Sequence, residues 1–154
     1  MEASPVQIPK RSSNTVVSAY LILRRDQEIL LLLRKNTGYC DGLYGLVAGH
    51  VEDGESATAG MVREAYEEAG IIITAEQLKV VLVIHRKTNR FGIDIFFECS
   101  TPYDGPLENR EPEKCAALEF FPLNLLPSNT IPYLVRVLKA VSQGQFYSEE
   151  GWDS

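Results

Sequence analysis

Apolar residues in this chain recur in two different rhythms. Short blocks rich in Val, Ile, Leu, Phe and Tyr fill residues 15–23, 28–33, 78–85, 93–99 and 118–122, each bounded by polar or Gly- and Pro-containing breaks. Blocks of that length and composition predict strands. The break Arg24-Arg25-Asp26-Gln27 is short enough to predict a hairpin between the first two. Segment 56–69 is different: Met61, Ala65 and Ala69 stand four apart, Glu55 or Ser56 opens it, and Gly70 stands where a left-handed C-terminal residue belongs. That pattern predicts a helix with a buried stripe. A second helix is predicted over 133–142, opened by the two prolines of 127–132. Residues 36–42 and 101–114 read as loops, and 49–54 as a turn rich in Gly and acid. Strands on both sides of one strong helix, with a helix at the end, predict an α/β domain with a mixed sheet. The organisation expected is a flexible arm over 1–14, a single domain over 15–147 and a tail over 148–154.

Charge narrows the partners. The chain has 154 residues, with 15 Lys plus Arg against 21 Asp plus Glu, a formal charge of −6. Polymeric nucleic acid and anionic membrane surfaces call for basic stripes, so neither is expected as a partner. A small phosphate substrate is compatible, because divalent cations carry positive charge locally. Cys40, Cys99 and Cys115 are widely spaced with no CxxC pair, which indicates neither a disulfide framework nor a zinc site. Residues 1–14 lack the apolar core of a secretory signal, and apolar runs such as 29–33 are far short of the ~20 residues that span a bilayer. A reducing, cytoplasmic setting is expected.

The chemistry gathers on the first helix. Glu64, Glu67 and Glu68 share one face by their spacing. Glu64 and Glu68 are like charges at i, i+4, and the later half of a helix disfavours anions. Arg63 can pair with Glu67 at i+4 and so offsets one charge of the cluster only. A divalent cation would relieve the rest, and Mg²⁺ favours carboxylate oxygens and substrate phosphates. The competing reading is a solvated helix face with one ion pair. Ahead of the helix runs Gly49-His50-Val51-Glu52-Asp53-Gly54-Glu55, whose glycines would let the backbone turn sharply. Gly60, inside the helix, suggests the close passage of a neighbouring backbone.

Gly49, five residues, Glu55, seven residues, then Arg63-Glu64-Ala65-Tyr66-Glu67-Glu68-Ala69-Gly70-Ile71 resembles the Nudix box, G-x5-E-x7-R-E-U-x-E-E-x-G-U, with U aliphatic. Every fixed letter matches, and Ala65 is small for its position. The resemblance implies a Nudix-like α/β/α sandwich and hydrolysis of a nucleoside diphosphate linked to another group. It implies Mg²⁺, with Mn²⁺ as a substitute, held by Glu64, Glu67, Glu68 and the Gly49 carbonyl. Arg63 would orient the glutamates, Glu55 would brace the loop, and Gly70 would end the helix. Glu64 is the leading general base and Glu113 the second.

Subfamily markers lie outside the box. No Pro occurs from 72 to 101 and no Tyr between 67 and 102, which argues against the ADP-ribose and diadenosine polyphosphate types. By elimination the chain is most similar to small MutT-like nucleoside triphosphate pyrophosphatases, which give a monophosphate and pyrophosphate, oxidised nucleotides included. The alternatives are a catalytically silent nucleotide-binding module on the same fold, a hydrolase of another diphosphate such as a nucleotide sugar, and an isomerase on this fold. Arg34 resembles a substrate-phosphate arginine, and Asn129 stands where MutT-like enzymes read a purine edge. Surface charge and a helix cap are their respective bland readings, and the cap is the favoured one for Asn129. Glu113 matches an extra loop glutamate at the metals, with Glu111 as its rival. Arg86 and His85 could meet substrate, Tyr39, Tyr44 and Phe91 could stack on a base, and Trp152 could pack back on the domain. One departure touches substrate choice: Val47-Ala48 replaces the Pro-Gly that often precedes the box glycine, and His50 follows it. Oligomeric state, monomer or homodimer, is open.

Overall fold

The computed structural model describes residues 14–153, so the arm expected over 1–14 lies outside them but for Asn14. In chain order the elements are β1 (Val16–Ile22), β2 (Arg24–Arg25), β3 (Glu28–Arg34), β4 (Tyr44–Gly45), β5 (Val47–His50), α1 (Ala57–Ala69), β6 (Leu78–Lys87), β7 (Phe91–Cys99), β8 (Cys115–Pro122), α2 (Pro132–Ser142) and β9 (Tyr147–Glu150), with a 3₁₀ turn at Ala75–Gln77. One mixed sheet runs β5-β1-β7-β6-β9, and a second is built on β3, which pairs with β2, β4 and β8.

The strands form where the apolar blocks predict them, but the first two do not make the expected hairpin. β1 runs parallel to β7 and antiparallel to β5, while β3 belongs to the other sheet. The hairpin shrinks to β2 on β3, with Arg25 opposite Glu28 and Asp26 at φ 56°. Burial explains the separation. Ala19, Leu21, Leu23, Leu30 and Leu32 join one core with Met61, Ala65 and Ala69 of α1. Ile22, Ile29 and Leu31 join another with Leu134, Val137 and Ala140 of α2. Alternate residues of one strand thus face different helices, so the sheets are covered on both sides and the run at 29–33 is continuously apolar. This is the α/β/α sandwich.

Both ends of α1 are closed. Ser56 Oγ accepts from the Ala59 N–H at 3.1 Å, and Gly70, at φ 62°, donates its N–H to Tyr66 O. The 101–114 loop then docks on the C-terminal turn: Glu108 N–H donates to Ala69 O at 2.9 Å and Arg110 N–H to Glu68 O at 3.1 Å. Carbonyls left open at a helix end are satisfied, and the loop is fixed beside the glutamates. Residues 147–150 form β9, parallel to β6. Among the described residues no helix is long and apolar enough to cross a membrane.

Candidate active site

Arg63 is the hub of the acidic edge of α1. Its Nε and Nη2 donate to both oxygens of Glu55, at 3.1 and 2.7 Å. Its Nη1 reaches Glu64 at 2.9 Å and Glu67 at 3.0 Å, and Nη2 also donates to His50 O at 3.2 Å. A planar guanidinium with five donors can do this where a lysine could not. Glu55 Oε1 also accepts the Glu52 N–H at 2.8 Å, and these bonds hold its carboxyl down at about 2. Glu55 thus bonds both the loop at Glu52 and the helix at Arg63, while the helix cap is Ser56.

Glu68 turns inward, and its Oε2 accepts the Ala48 N–H at 3.3 Å. Burial, then the Glu64 charge, push its carboxyl up to about 8. Glu64 is raised too, by burial first, with Arg63 opposing. Gly49 makes this packing possible. It lies within strand β5 rather than in a turn, and a Cβ there would come within 2.2 Å of Glu64 Cδ. Gly60 likewise leaves room for a side chain, Glu55 Oε1 at 2.9 Å from its virtual Cβ, and not for the expected neighbouring backbone.

Among the described residues no three acids already stand as a closed metal cage. Arg63 draws Glu64 and Glu67 to itself, and Glu68 faces a backbone N–H. The donor set nevertheless fits a hard divalent cation. It is all carboxylate oxygen, on one helix face, with Glu68 raised by burial and then by the Glu64 charge. Glu64, Glu67 and Glu68 line a cleft of about 480 Å³ with Glu52, Arg63 and Glu111.

Glu111, not Glu113, is the loop acid brought to this cleft. Asn109 positions it: Asn109 Oδ1 accepts the Glu111 N–H at 3.2 Å, and its Nδ2 donates to Cys115 O at 2.8 Å. The Glu111 charge raises both Glu64 and Glu68. Glu113 is exposed and offers its backbone carbonyl to Asn36.

A second cavity, of about 680 Å³, adjoins the cleft across Arg34, Leu46, Ala48, Gly49 and His50, which line both. Its walls come from β1, β5, β6, β7, the 36–42 loop and the start of α2. Asp41 shapes that loop by accepting from the Thr37 and Gly38 N–H groups, and it presents Tyr39. Arg34 Nε donates to Tyr39 O at 2.7 Å, and Arg86 Nη2 to the Tyr39 hydroxyl at 3.0 Å. Arg86 also lies 4.0 Å over the Tyr133 ring and 3.5 Å from Asp94, whose carboxylate accepts the Tyr133 hydroxyl at 2.8 Å. Burial raises Asp94. Asp94, Tyr133, Tyr20, Ser18 and Arg90 were not among the site residues expected from sequence. An acid inside the apolar run 93–99 was the one available signal for Asp94.

The remaining candidates separate. Arg34 and Arg86 line the cavity. Asn129 does not line it, and the cap favoured for it is not made: α2 begins after Ile131 with no side-chain cap, and Asn129 Nδ2 donates to Gly42 O at 3.0 Å. Tyr44 packs edge-on to Phe121. Phe91 and His85 both meet Trp152. Ala48 sits in regular strand opposite Tyr20, so the missing glycine there imposes no backbone constraint.

The NUDIX domain model matches residues 13–141, and the chain belongs to the Nudix family. It is 36% identical over 110 residues to an ADP-ribose pyrophosphatase of Methanocaldococcus jannaschii, covering 69% of this chain and 61% of that protein. It is 24% identical over 139 residues to a MutT-like protein of Streptomyces ambofaciens, covering 90% and 84%. The chain spans about a third of the Arabidopsis thaliana protein Nudix hydrolase 7, at 26% identity. The fold is similar to that of a MutT Nudix hydrolase from Burkholderia pseudomallei, with a TM-score of 0.73, 24% identity, and coverage of 82% of this chain and 98% of that one.

Proposed function

We propose that this protein is a divalent-cation-dependent pyrophosphohydrolase of nucleoside diphosphate-linked compounds. One observation carries the reading: the acid cleft and the aromatic cavity meet at Gly49 and His50. A substrate can therefore lay its phosphates across β5 while its nucleoside enters between Tyr39 and Tyr133. Glu64, Glu67, Glu68 and Glu111 would hold Mg²⁺, or Mn²⁺ in its place. The bound cation supplies charge neutralisation on the bridging oxygens and a polarised water. Arg63 keeps Glu64 and Glu67 oriented. Glu64, half-buried and raised, is the residue to take the proton from the attacking water.

The leading substrate class is a (deoxy)nucleoside triphosphate, cleaved to monophosphate and pyrophosphate. ADP-ribose is the second reading, favoured by the 36% identity to a relative of that name. That relative weakens the elimination based on the missing proline, since a marker outside the box has exceptions. The free cysteines agree with a cytoplasmic setting, which is part of this proposal.

The test is a product screen with Mg²⁺ and with EDTA, over the four deoxynucleoside triphosphates, 8-oxo-dGTP and ADP-ribose. Cation-dependent monophosphate and pyrophosphate support the first class; AMP and ribose 5-phosphate support the second. No cation-dependent product from any of them would refute the reading.

A further inference from the structure

We infer that Arg90 is a specificity-determining residue that grips a substrate phosphate opposite the acid cleft, and that Trp152 is the positioning residue that holds it there. The inference rests on the pyrophosphohydrolase reading above.

Arg90 stands at the tip of the β6–β7 hairpin and is exposed. Its Nη2 lies 3.2 Å from His50 Nε2, at the junction of the two cavities. Among the described residues it makes no ion pair. Arg34 across the cavity is alike: its guanidinium bonds only neutral acceptors, Tyr39 O and Thr37 Oγ1. Among the described residues, three guanidiniums, of Arg34, Arg86 and Arg90, thus line a cavity whose one carboxylate is Asp94. In a chain of formal charge −6, that is a local positive site beside a negative one. A guanidinium that keeps free N–H donors matches the fork of two phosphate oxygens. A phosphate lying over Gly49 would face carboxylate-held cation on one side and Arg90 on the other.

A hairpin tip would not hold such a geometry unaided. Within it, the Thr88 N–H donates to Arg90 O at 3.0 Å. The C-terminal segment supplies the rest. Trp152 Nε1 donates to His85 O at 2.9 Å, its ring stacks on Phe91 with centroids 5.7 Å apart, and it meets the His85 ring at a tilt with centroids 4.6 Å apart. Lys87 Nζ lies 5.7 Å from the same ring. One indole therefore grips both legs of the hairpin, on the residue adjacent to Arg90. Gly151 allows the approach: at φ 84° it passes so close that a Cβ would stand 1.9 Å from Lys87 O. Preorganising a binding side chain in this way reduces the ordering cost on binding.

The experiment measures kcat and KM for the best substrate of the product screen, calorimetric binding of α,β-methylene ATP with Mg²⁺, and thermal midpoints. The variants are Arg90→Ala, Arg90→Lys, Trp152→Ala and Trp152→Phe. Arg90→Ala is expected to raise KM and Kd about tenfold, the effect of one lost charge-assisted hydrogen bond, with kcat within about twofold. Arg90→Lys should fall between. Trp152→Ala should raise KM in the same sense, and Trp152→Phe should restore most of it by keeping the ring stack. Unchanged KM and Kd in Arg90→Ala, in an otherwise active enzyme, overturn the inference while the function stands. A Trp152→Ala protein with a lower midpoint but unmoved KM overturns the positioning role. A wild-type chain that cleaves nothing and binds no analogue overturns both this inference and the function.

Discussion

The acid cleft and the aromatic cavity differ in how the chain makes them. The cleft is local: Glu55, Arg63, Glu64, Glu67 and Glu68 span 14 residues, and helical spacing alone brings three of them to one face. The cavity is assembled from β1, β5, β6, β7, the 36–42 loop and α2, so it exists only once two sheets and a helix have packed. The cleft is also electrostatically frustrated, with carboxylates raised by burial and by one another. The cavity is instead rich in guanidiniums, Arg86 being shared by Asp94, Tyr39 and the Tyr133 face. An acidic site that awaits a cation and a cationic site that awaits an anion should respond to perturbation in different ways.

The largest contrast is expected from the cleft. Glu68→Gln and Glu67→Gln each remove one charge at constant shape and should lower turnover at least 100-fold, since cation-stabilised charge is worth several kcal/mol. The fold should survive, because Glu68→Gln relieves the like-charge repulsion with Glu64 at i, i+4 and Glu67→Gln gives up only an exposed ion pair to Arg63. Near-normal turnover in both variants, measured with saturating Mg²⁺, would sink the metal assignment.

The loop acids give a sharper and smaller test. Glu111→Gln should reduce turnover about tenfold, as loss of one outer carboxylate from a shared cation site, whereas Glu113→Gln should leave it unchanged. The reverse ranking would restore the sequence expectation. Glu111 rather than Glu113 lines the cleft for a physical reason. Residues 110–114 offer two glutamates two apart, and only the Asn109 bonds and the docking of Glu108 and Arg110 on α1 decide which one turns inward.

Much of the cleft was legible because α1 is: Ser56, the Met61–Ala65–Ala69 stripe and Gly70 each have a local cause. The cavity was legible only in part. Arg34 and Arg86 stand next to strand ends and could be guessed, but Asp94 and Tyr133 meet across 39 residues and no short-range rule pairs them. The same limit explains the lost hairpin. Strand periodicity says which residues are buried, and it does not say in which of two sheets.

Acidity should separate the two regions next. The Glu68 carboxyl sits at about 8 in the folded chain, above its unfolded value. The folded state therefore binds more protons than the unfolded one, and stability falls as pH rises from the unfolded value through about 8. In EDTA, the thermal midpoint should drop by several degrees between pH 5 and pH 8. With Mg²⁺ the midpoint should rise most at the alkaline end, where the ligands are ionised and binding adds stability by mass action. A metal-free midpoint that climbs from pH 5 to pH 8 would contradict the frustrated cleft.

Asn129 should give the smallest effect, and it tests where the cavity ends. Its Nδ2 is committed to Gly42 O, and its own carbonyl accepts the Tyr44 N–H at 2.9 Å. Those bonds tie the 127–131 turn to the loop that carries Tyr39. One of its two amide N–H donors is held by Gly42 O, and Asn129 is not among the residues that line the cavity, so it is not placed to read a purine edge with paired donor and acceptor. Asn129→Ala should therefore cost about 1 kcal/mol of stability, the worth of one part-exposed hydrogen bond. The ratio of kcat/KM for purine and pyrimidine triphosphates should not move. If that ratio collapses while the denaturation midpoint stays fixed, the side chain leaves Gly42 when substrate binds, and the base-reading wall extends to residue 129. If both shift together, the tie positions Tyr39, and Tyr39→Phe combined with Asn129→Ala should show a coupling that distant, independent sites do not.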